Sequence, residues 1–326
     1  MSLSLSSDYK QEWIRSWPLV LSSMLGISLL PILHYSMGVF IEPLEKEFGW
    51  TRALISAGLT VQGVILALFC ALVGAAVDRF GPRRIAIPGI VLFCTSFGLL
   101  SLTTSGATWL AFWFLIGICG LLVTPTVWTA AVASRFDAAR GMALAVTLMG
   151  TGITAIIAPP IGRYLVDNHD WQTAFAGLGL FQLLLVLPPA LFFFFGRSDQ
   201  QRSKAAPAPR AERRQTAPGL KMPRLSAEVR DALLSRTFLC LAVAALLFLT
   251  SASFMLVHFV PILTNNGIDR ATAAMIAGAI GGSSMVGRVV TGLFLDRFDA
   301  SKIGTLAFSV PLISVVLLLN GGASEI

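Results

Sequence analysis

The chain has 326 residues, 55% apolar and 10% aromatic but only 13% charged, with 24 basic against 17 acidic side chains and a mean hydropathy of +0.77. A soluble domain carries roughly 25% charged residues, so half that value leaves too little polar surface to cover a water-facing body of this size. Soluble enzymes, disordered chains and disulfide scaffolds are excluded together, because large apolar residues dominate and the four cysteines follow no metal or disulfide spacing.

A helix needs roughly 20 apolar residues to cross a ~30 Å hydrocarbon core. Uncharged runs of that length predict spans at 16–41, 53–77, 85–134, 141–162, 171–196, 237–268, 271–295 and 303–324, with Arg288 inside the seventh run. The run 85–134 holds two helices parted by a turn at Thr103-Thr104-Ser105-Gly106. The expectation is therefore an all-α polytopic membrane protein of about nine spans. The first 15 residues are polar and read as a short tail rather than a cleavable signal peptide.

With the N-terminus inside, nineteen basic residues fall on the cytoplasmic side and four (Lys46, Arg52, Arg163, Arg270) outside. That bias predicts a cytoplasmic N-terminus. It also accounts for a pI of 9.7 without a nucleic-acid partner, since the basic residues lie on separate loops and lack interleaved aromatics. Residues 197–236 hold ten basic and four acidic side chains and the run A-A-P-A-P-R-A-E-R-R from Ala205 to Arg214. Such a stretch cannot bury a core and reads as a cytoplasmic linker with a short surface helix at 227–234. The predicted organisation is a six-helix bundle over 1–196, the linker over 197–236 and three further helices over 237–326.

Displaced by 218 residues, the chain matches itself without a gap: Arg52 with Arg270, Gly63 with Gly281, Gly74 with Gly292, and Asp78-Arg79-Phe80 with Asp296-Arg297-Phe298. Parallel repeats of this kind mark transporters that rock two bundles about a midplane site. A carboxylate such as Asp78 or Asp296 can face a helix N-terminus, and Arg79, Arg83, Arg84 and Arg297 can form ion pairs at the cytoplasmic end.

The run G-A-A-V-D-R-F-G-P-R-R from Gly74 to Arg84 resembles the signature loop between helices 2 and 3 of the major facilitator superfamily, and G-L-F-L-D-R from Gly292 to Arg297 resembles its echo between helices 8 and 9. The stretches Glu47–Arg52, Arg140–Ala145, His258-Phe-Val-Pro261 and Gly287-Arg288 are similar to the bacterial monocarboxylate-porter and oxalate/formate-antiporter branch. The resemblance implies a twelve-helix fold, of which this chain holds nine, so that it is expected to be C-terminally truncated. It implies gating roles for Asp78, Arg79, Arg83, Arg84, Asp296 and Arg297, with Asp78 meeting helix 11 and Asp296 meeting the N-terminus of helix 5 near Gly141. The helix 4 arginine of some members would fall near Trp113 and is absent.

A charge inside the hydrocarbon is costly and faces a cavity or a partner. Arg288 stands eight residues before Asp296, roughly 12 Å into the span. Ser284, Thr291 and Gly292 lie beside it on the helix, so this face points into protein or water. Its guanidinium fork suits a carboxylate, and in the resembling branch an arginine at this place binds the substrate. An arginine paired with a carbonyl or a carboxylate of another helix is the alternative. His34 and His258 lie at matching depths on the first helices of the two halves, where proton coupling, substrate bonding or a neutral buried imidazole are all open. Tyr35 stands where some branch members carry lysine. Gly141, Gly150, Gly152, Pro159, Pro160 and Gly162 partly resemble the helix 5 antiporter motif, with Thr154 in place of a glycine, and are read as close-packing and kink positions.

These residues predict a secondary active transporter of small organic anions, monocarboxylates foremost, with Arg288, Tyr35, His34, His258 and Ser284 at the substrate. No nucleotide loop, metal constellation or catalytic triad is present, so no cofactor and no enzymatic activity are predicted. The rival readings are a drug or neutral-solute exporter of the same superfamily and a transport-incompetent fragment.

Overall fold

The computed structural model describes residues 2–196, 235–236, 238–248, 267, 283–284, 286–299 and 301–310. Over 2–193 the chain forms nine α-helices: α1 (Ser2–Ile27), α2 (Pro31–Phe48), α3 (Arg52–Phe80), α4 (Pro82–Gly98), α5 (Gly106–Leu121), α6 (Pro125–Ala133), α7 (Arg140–Leu148), α8 (Gly150–Asn168) and α9 (Trp171–Phe193). They make up six apolar segments long enough to cross a membrane: Tyr9–Phe48, Arg52–Phe80, Pro82–Leu102, Gly106–Ala133, Arg140–Asn168 and Trp171–Phe193. These are the six spans expected of the first half. Shorter apolar helices follow at α10 (Phe238–Phe248) and α11 (Val286–Leu295). The expected surface helix at 227–234 and His258 lie outside the described residues.

The described residues divide into two units. The larger comprises Met1–Lys204 with Gly281–Arg297, and the smaller comprises Ala205–Ile280 with Phe298–Ile326. In the smaller one, α10 packs beside the helical stretch 301–310, where Phe248 meets Phe308 edge to face at 5.5 Å. The larger unit holds the candidate site.

Three of its spans break. The first does so at Ser28–Leu30, where Pro31 opens α2; proline has no N–H to continue the ladder. The last turn tightens instead, with Ser28 N donating to Leu25 O and Leu29 N to Gly26 O at 3.2 Å each. The carbonyl of Ser28 then accepts from Thr154 Oγ1 at 3.0 Å and Gln182 Nε2 at 3.2 Å, so two other spans satisfy a group the helix left bare. The fourth span breaks between α5 and α6 in the same way, with Pro125 at the start of α6 and Trp128 Nε1 donating to Val123 O at 3.1 Å. The fifth breaks at Met149, with no proline nearby. Pro159 and Pro160, expected to kink this span, sit within the continuous α8.

The breaks meet. A Cβ at Gly150 would stand 1.9 Å from the Met24 carbonyl, and one at Gly26 would stand 2.4 Å from the Trp128 ring. Glycine lets these backbones touch, the form of contact that replaces hydrophobic driving force between helices in lipid. Gly58 receives Trp113 at the same 2.4 Å. The turn predicted at 103–106 is present over 103–105, with Gly106 already the first residue of α5, and it is closed by a reciprocal cap between Ser105 and Thr108. Trp109, Trp113, Phe40, Phe93 and Phe175 are fully buried, Phe40 stacks on Phe175 at 3.8 Å, and Trp109 Nε1 finds the Ile55 carbonyl at 3.2 Å.

Candidate substrate and gating site

The site is organised around α7, nine residues between two breaks in the chain. A helix this short exposes orphan amides at one end and orphan carbonyls at the other, with partial positive and negative charge respectively. Glu12 of α1 serves the leading end: its carboxylate accepts from the amides of Asp137 (3.1 and 3.3 Å), Ala138 (3.1 Å) and Ala139 (3.0 Å). Asp296, in the turn after α11, accepts from two amides of the first turn of α7, Gly141 at 2.5 Å and Met142 at 3.0 Å. Gly141 is small because it must be: a Cβ there would stand 2.6 Å from Asp296 Oδ1 and 2.8 Å from the Gly292 carbonyl. Gly292, buried, faces Ala145 in turn, with 2.5 Å between the added Cβ and that of Ala145.

At the trailing end the last residue of α7 is Leu148, whose carbonyl accepts from Arg288 Nη1 at 2.7 Å. The same nitrogen donates to Thr151 Oγ1, and that hydroxyl donates to the Leu148 carbonyl at 3.0 Å. Arg288 is half-buried. Both of these partners are neutral oxygens, and among the described residues Arg288 forms no ion pair.

The other candidates separate from this cluster. Ser284 is exposed on the turn before Arg288. His34 and Tyr35 are exposed on consecutive positions of α2. Asp78, Arg79 and Arg84 are exposed around the α3–α4 turn, with Arg79 5.3 Å from the Phe80 ring. Arg83 reaches across to the end of α9, donating to the carbonyls of Leu191 (2.7 Å), Phe194 (3.0 Å) and Ala190 (3.2 Å) while stacking 3.7 Å from the Phe195 ring. A Cβ at Gly74 would meet nothing within 4 Å, whereas its repeat counterpart Gly292 is in close contact with α7. Arg297 is exposed. Cys70, the repeat counterpart of Arg288, is exposed on α3.

Glu12, Thr151 and Gln182 take part in this arrangement without being singled out by the sequence, and Thr154 enters it as a donor to the Ser28 carbonyl rather than only as a departure from the helix 5 motif. Gln182 carries a signal that was available, an amide side chain in the middle of an apolar run. Glu12 and Thr151 carry none, since each acts on backbone groups whose position depends on packing.

Among the described residues, an all-helical bundle with six membrane-length segments, three of them broken at mid-span, and with α11 seated on the fifth, defines a multi-pass membrane protein. The sequence profile of the Major Facilitator Superfamily matches residues 18–324, and the chain belongs to that family of membrane transporters. It is 27% identical over 310 residues to the monocarboxylate transporter 13 of Bos taurus, covering 93% of this chain and 67% of that protein. It is 26% identical over 290 residues to the MFS-type transporter pytF of Aspergillus terreus, covering 87% of this chain and 90% of that protein. Over 167 residues it is 31% identical to the chloramphenicol resistance protein CraA of Acinetobacter baumannii, covering 49% of this chain and 40% of that protein. The chain spans about two thirds of the length of its monocarboxylate-transporter-13 relatives from cattle and rat.

Proposed function

We propose that this transporter carries small organic anions, monocarboxylates foremost, by alternating access, with the carboxylate held by Arg288. The single observation that carries the reading is the guanidinium of Arg288: half-buried inside an apolar helix and held by a carbonyl and a hydroxyl, neither of which neutralises it. A buried uncompensated charge is expensive, and a planar carboxylate is the ligand whose two oxygens match its fork. Similarity to proteins named monocarboxylate transporters supports the same class. In this reading Ser284, His34, Tyr35 and His258 line the substrate path, and either histidine supplies a proton-coupling group. Asp78, Arg79, Arg83, Arg84, Asp296 and Arg297 form the gates, and the six-helix segment 1–196 and the segment 237–326 are the moving halves joined by 197–236. The nineteen-to-four division of basic residues favours a cytoplasmic N-terminus in the cell inner membrane.

A drug exporter is the second reading, favoured by the similarity to a chloramphenicol resistance protein. Counterflow in proteoliposomes with labelled pyruvate, lactate and chloramphenicol separates the two. Monocarboxylate exchange that Arg288→Ala abolishes is the expected result. Full exchange by that variant, or exchange of chloramphenicol alone, overturns the assignment.

A further inference from the structure

Arg288 and Asp296 stand eight residues apart, about 12 Å along the helix axis, and the two ends of α7 are set at the same pitch. The anionic side chain meets the amide end of α7 and the cationic one meets its carbonyl end. Each charge opposes the partial charge of the helix end it touches, and Gly292 against Ala145 brings the two helices together between them. The contact is thus a clamp with a charged jaw at each end. One jaw, Asp296, has its oxygens on amides. The other, Arg288, is the residue read above as the anion site, and one corner of its fork is already engaged: Nη1 donates to two acceptors of the fifth span, the Leu148 carbonyl and Thr151 Oγ1.

We propose that Leu148 and Thr151 act as resident stand-ins for the substrate, and that an incoming carboxylate displaces them from Arg288 and so opens the trailing jaw of the clamp between α11 and α7. The inference rests on the reading of Arg288 as the anion site. A carboxylate adds full opposite charge and two oxygens that meet the fork in parallel, so it outcompetes the carbonyl and the hydroxyl. When it takes the end of the fork formed by Nη1 and Nη2, Nη1 turns away from α7. The Leu148 carbonyl retains the Thr151 hydroxyl as donor, so the released end of α7 is not left bare. Thr151 is therefore a positioning residue that couples binding to movement.

The test uses the full chain in nanodiscs with pyruvate and its neutral amide, pyruvamide, as probes. Hydrogen exchange over 140–151 should speed up on adding pyruvate and not on adding pyruvamide. Thr151→Val removes one resident acceptor and, with it, the donor that covers the released Leu148 carbonyl, so pyruvate should speed exchange over 140–151 further in this variant than in the unaltered chain. Thr151→Ser, which keeps the hydroxyl, should restore the original response. Pyruvate binding that leaves exchange at 140–151 unchanged, or a Thr151→Val variant whose response equals that of the unaltered chain, overturns the clamp while the anion site stands, provided Arg288→Ala abolishes binding. Undiminished pyruvate binding by Arg288→Ala, or none by the unaltered chain, overturns the anion reading itself and the clamp with it.

Discussion

The carbonyl oxygen of Met24 and the backbone of Gly150 touch so closely that a Cβ on residue 150 would stand 1.9 Å from that oxygen and 3.4 Å from the Ser28 amide nitrogen. The obstacle is backbone on both sides, so no rotamer change relieves it. Gly150→Ala must therefore separate the first and fifth spans at their breaks and is expected to destabilise the protein by about 3 kcal/mol or more. Thermal unfolding in detergent reads this out, with Gly38→Ala as the control because a Cβ there meets nothing within 4 Å. Equal melting temperatures for the two variants would refute it.

Ser28's carbonyl is doubly supported, by Thr154 and by Gln182, and Gln182 Oε1 has no partner among the described residues. Either donor alone keeps the carbonyl satisfied, so Thr154→Val and Gln182→Leu should each cost about 1 kcal/mol or less. The double variant strands a buried acceptor and should lose clearly more than the sum of the two. A double-mutant cycle on melting temperatures measures the coupling, and strict additivity would show that the carbonyl finds another donor.

Arg83 uses a fork to hold three carbonyls at the end of α9 and a flat face against Phe195. A lysine keeps the charge but can neither fork nor stack. Arg83→Lys should lower stability by about 1 kcal/mol or more, whereas Arg84→Lys, exposed at the next position, should stay within about 0.5 kcal/mol. The same thermal assay compares them. Transport lost without any loss of stability would instead point to a gating role for Arg83.

Asp170 caps α9, its carboxylate accepting from Thr173 N at 2.5 Å. That backbone bond, with the Thr173 hydroxyl behind it, holds the carboxyl below its usual 3.8. A depressed folded value means the cap contributes fully above the unfolded value and is lost as pH falls through the folded one. Asp170→Asn should thus flatten the acid limb of the stability profile below about pH 4 and leave neutral stability nearly unchanged, since asparagine also caps. Parallel acid limbs for the two proteins would rule the cap out as a source of acid sensitivity.

The six spans of the first half and their order were legible because an apolar run long enough to cross a bilayer is seldom anything but a span. The breaks were not, because proline is ambiguous in this chain. Pro31 and Pro125 open new helices, while Pro43, Pro88, Pro159, Pro160, Pro188 and Pro189 ride inside continuous ones. At Met149 the chain breaks with no proline, where Gly150 yields to Met24. Which carbonyls find side-chain donors depends on packing and decides the matter. Arg288 and Asp296 could be found from sequence, being charges at odds with their surroundings or repeated at a fixed offset. Glu12 could not, since a glutamate in a polar leader looks like any solvated residue.

That glutamate gives the leader an unexpected standing. Its carboxylate gathers the amides of 137–139, one residue ahead of the two that Asp296 uses, so a residue near the amino terminus helps to shape the helix start on which that aspartate lands. An affinity tag or fusion joined close to residue 12 therefore sits against a helix start more than a hundred residues away in the chain, and under the proposed mechanism it is an edit to one of the moving parts.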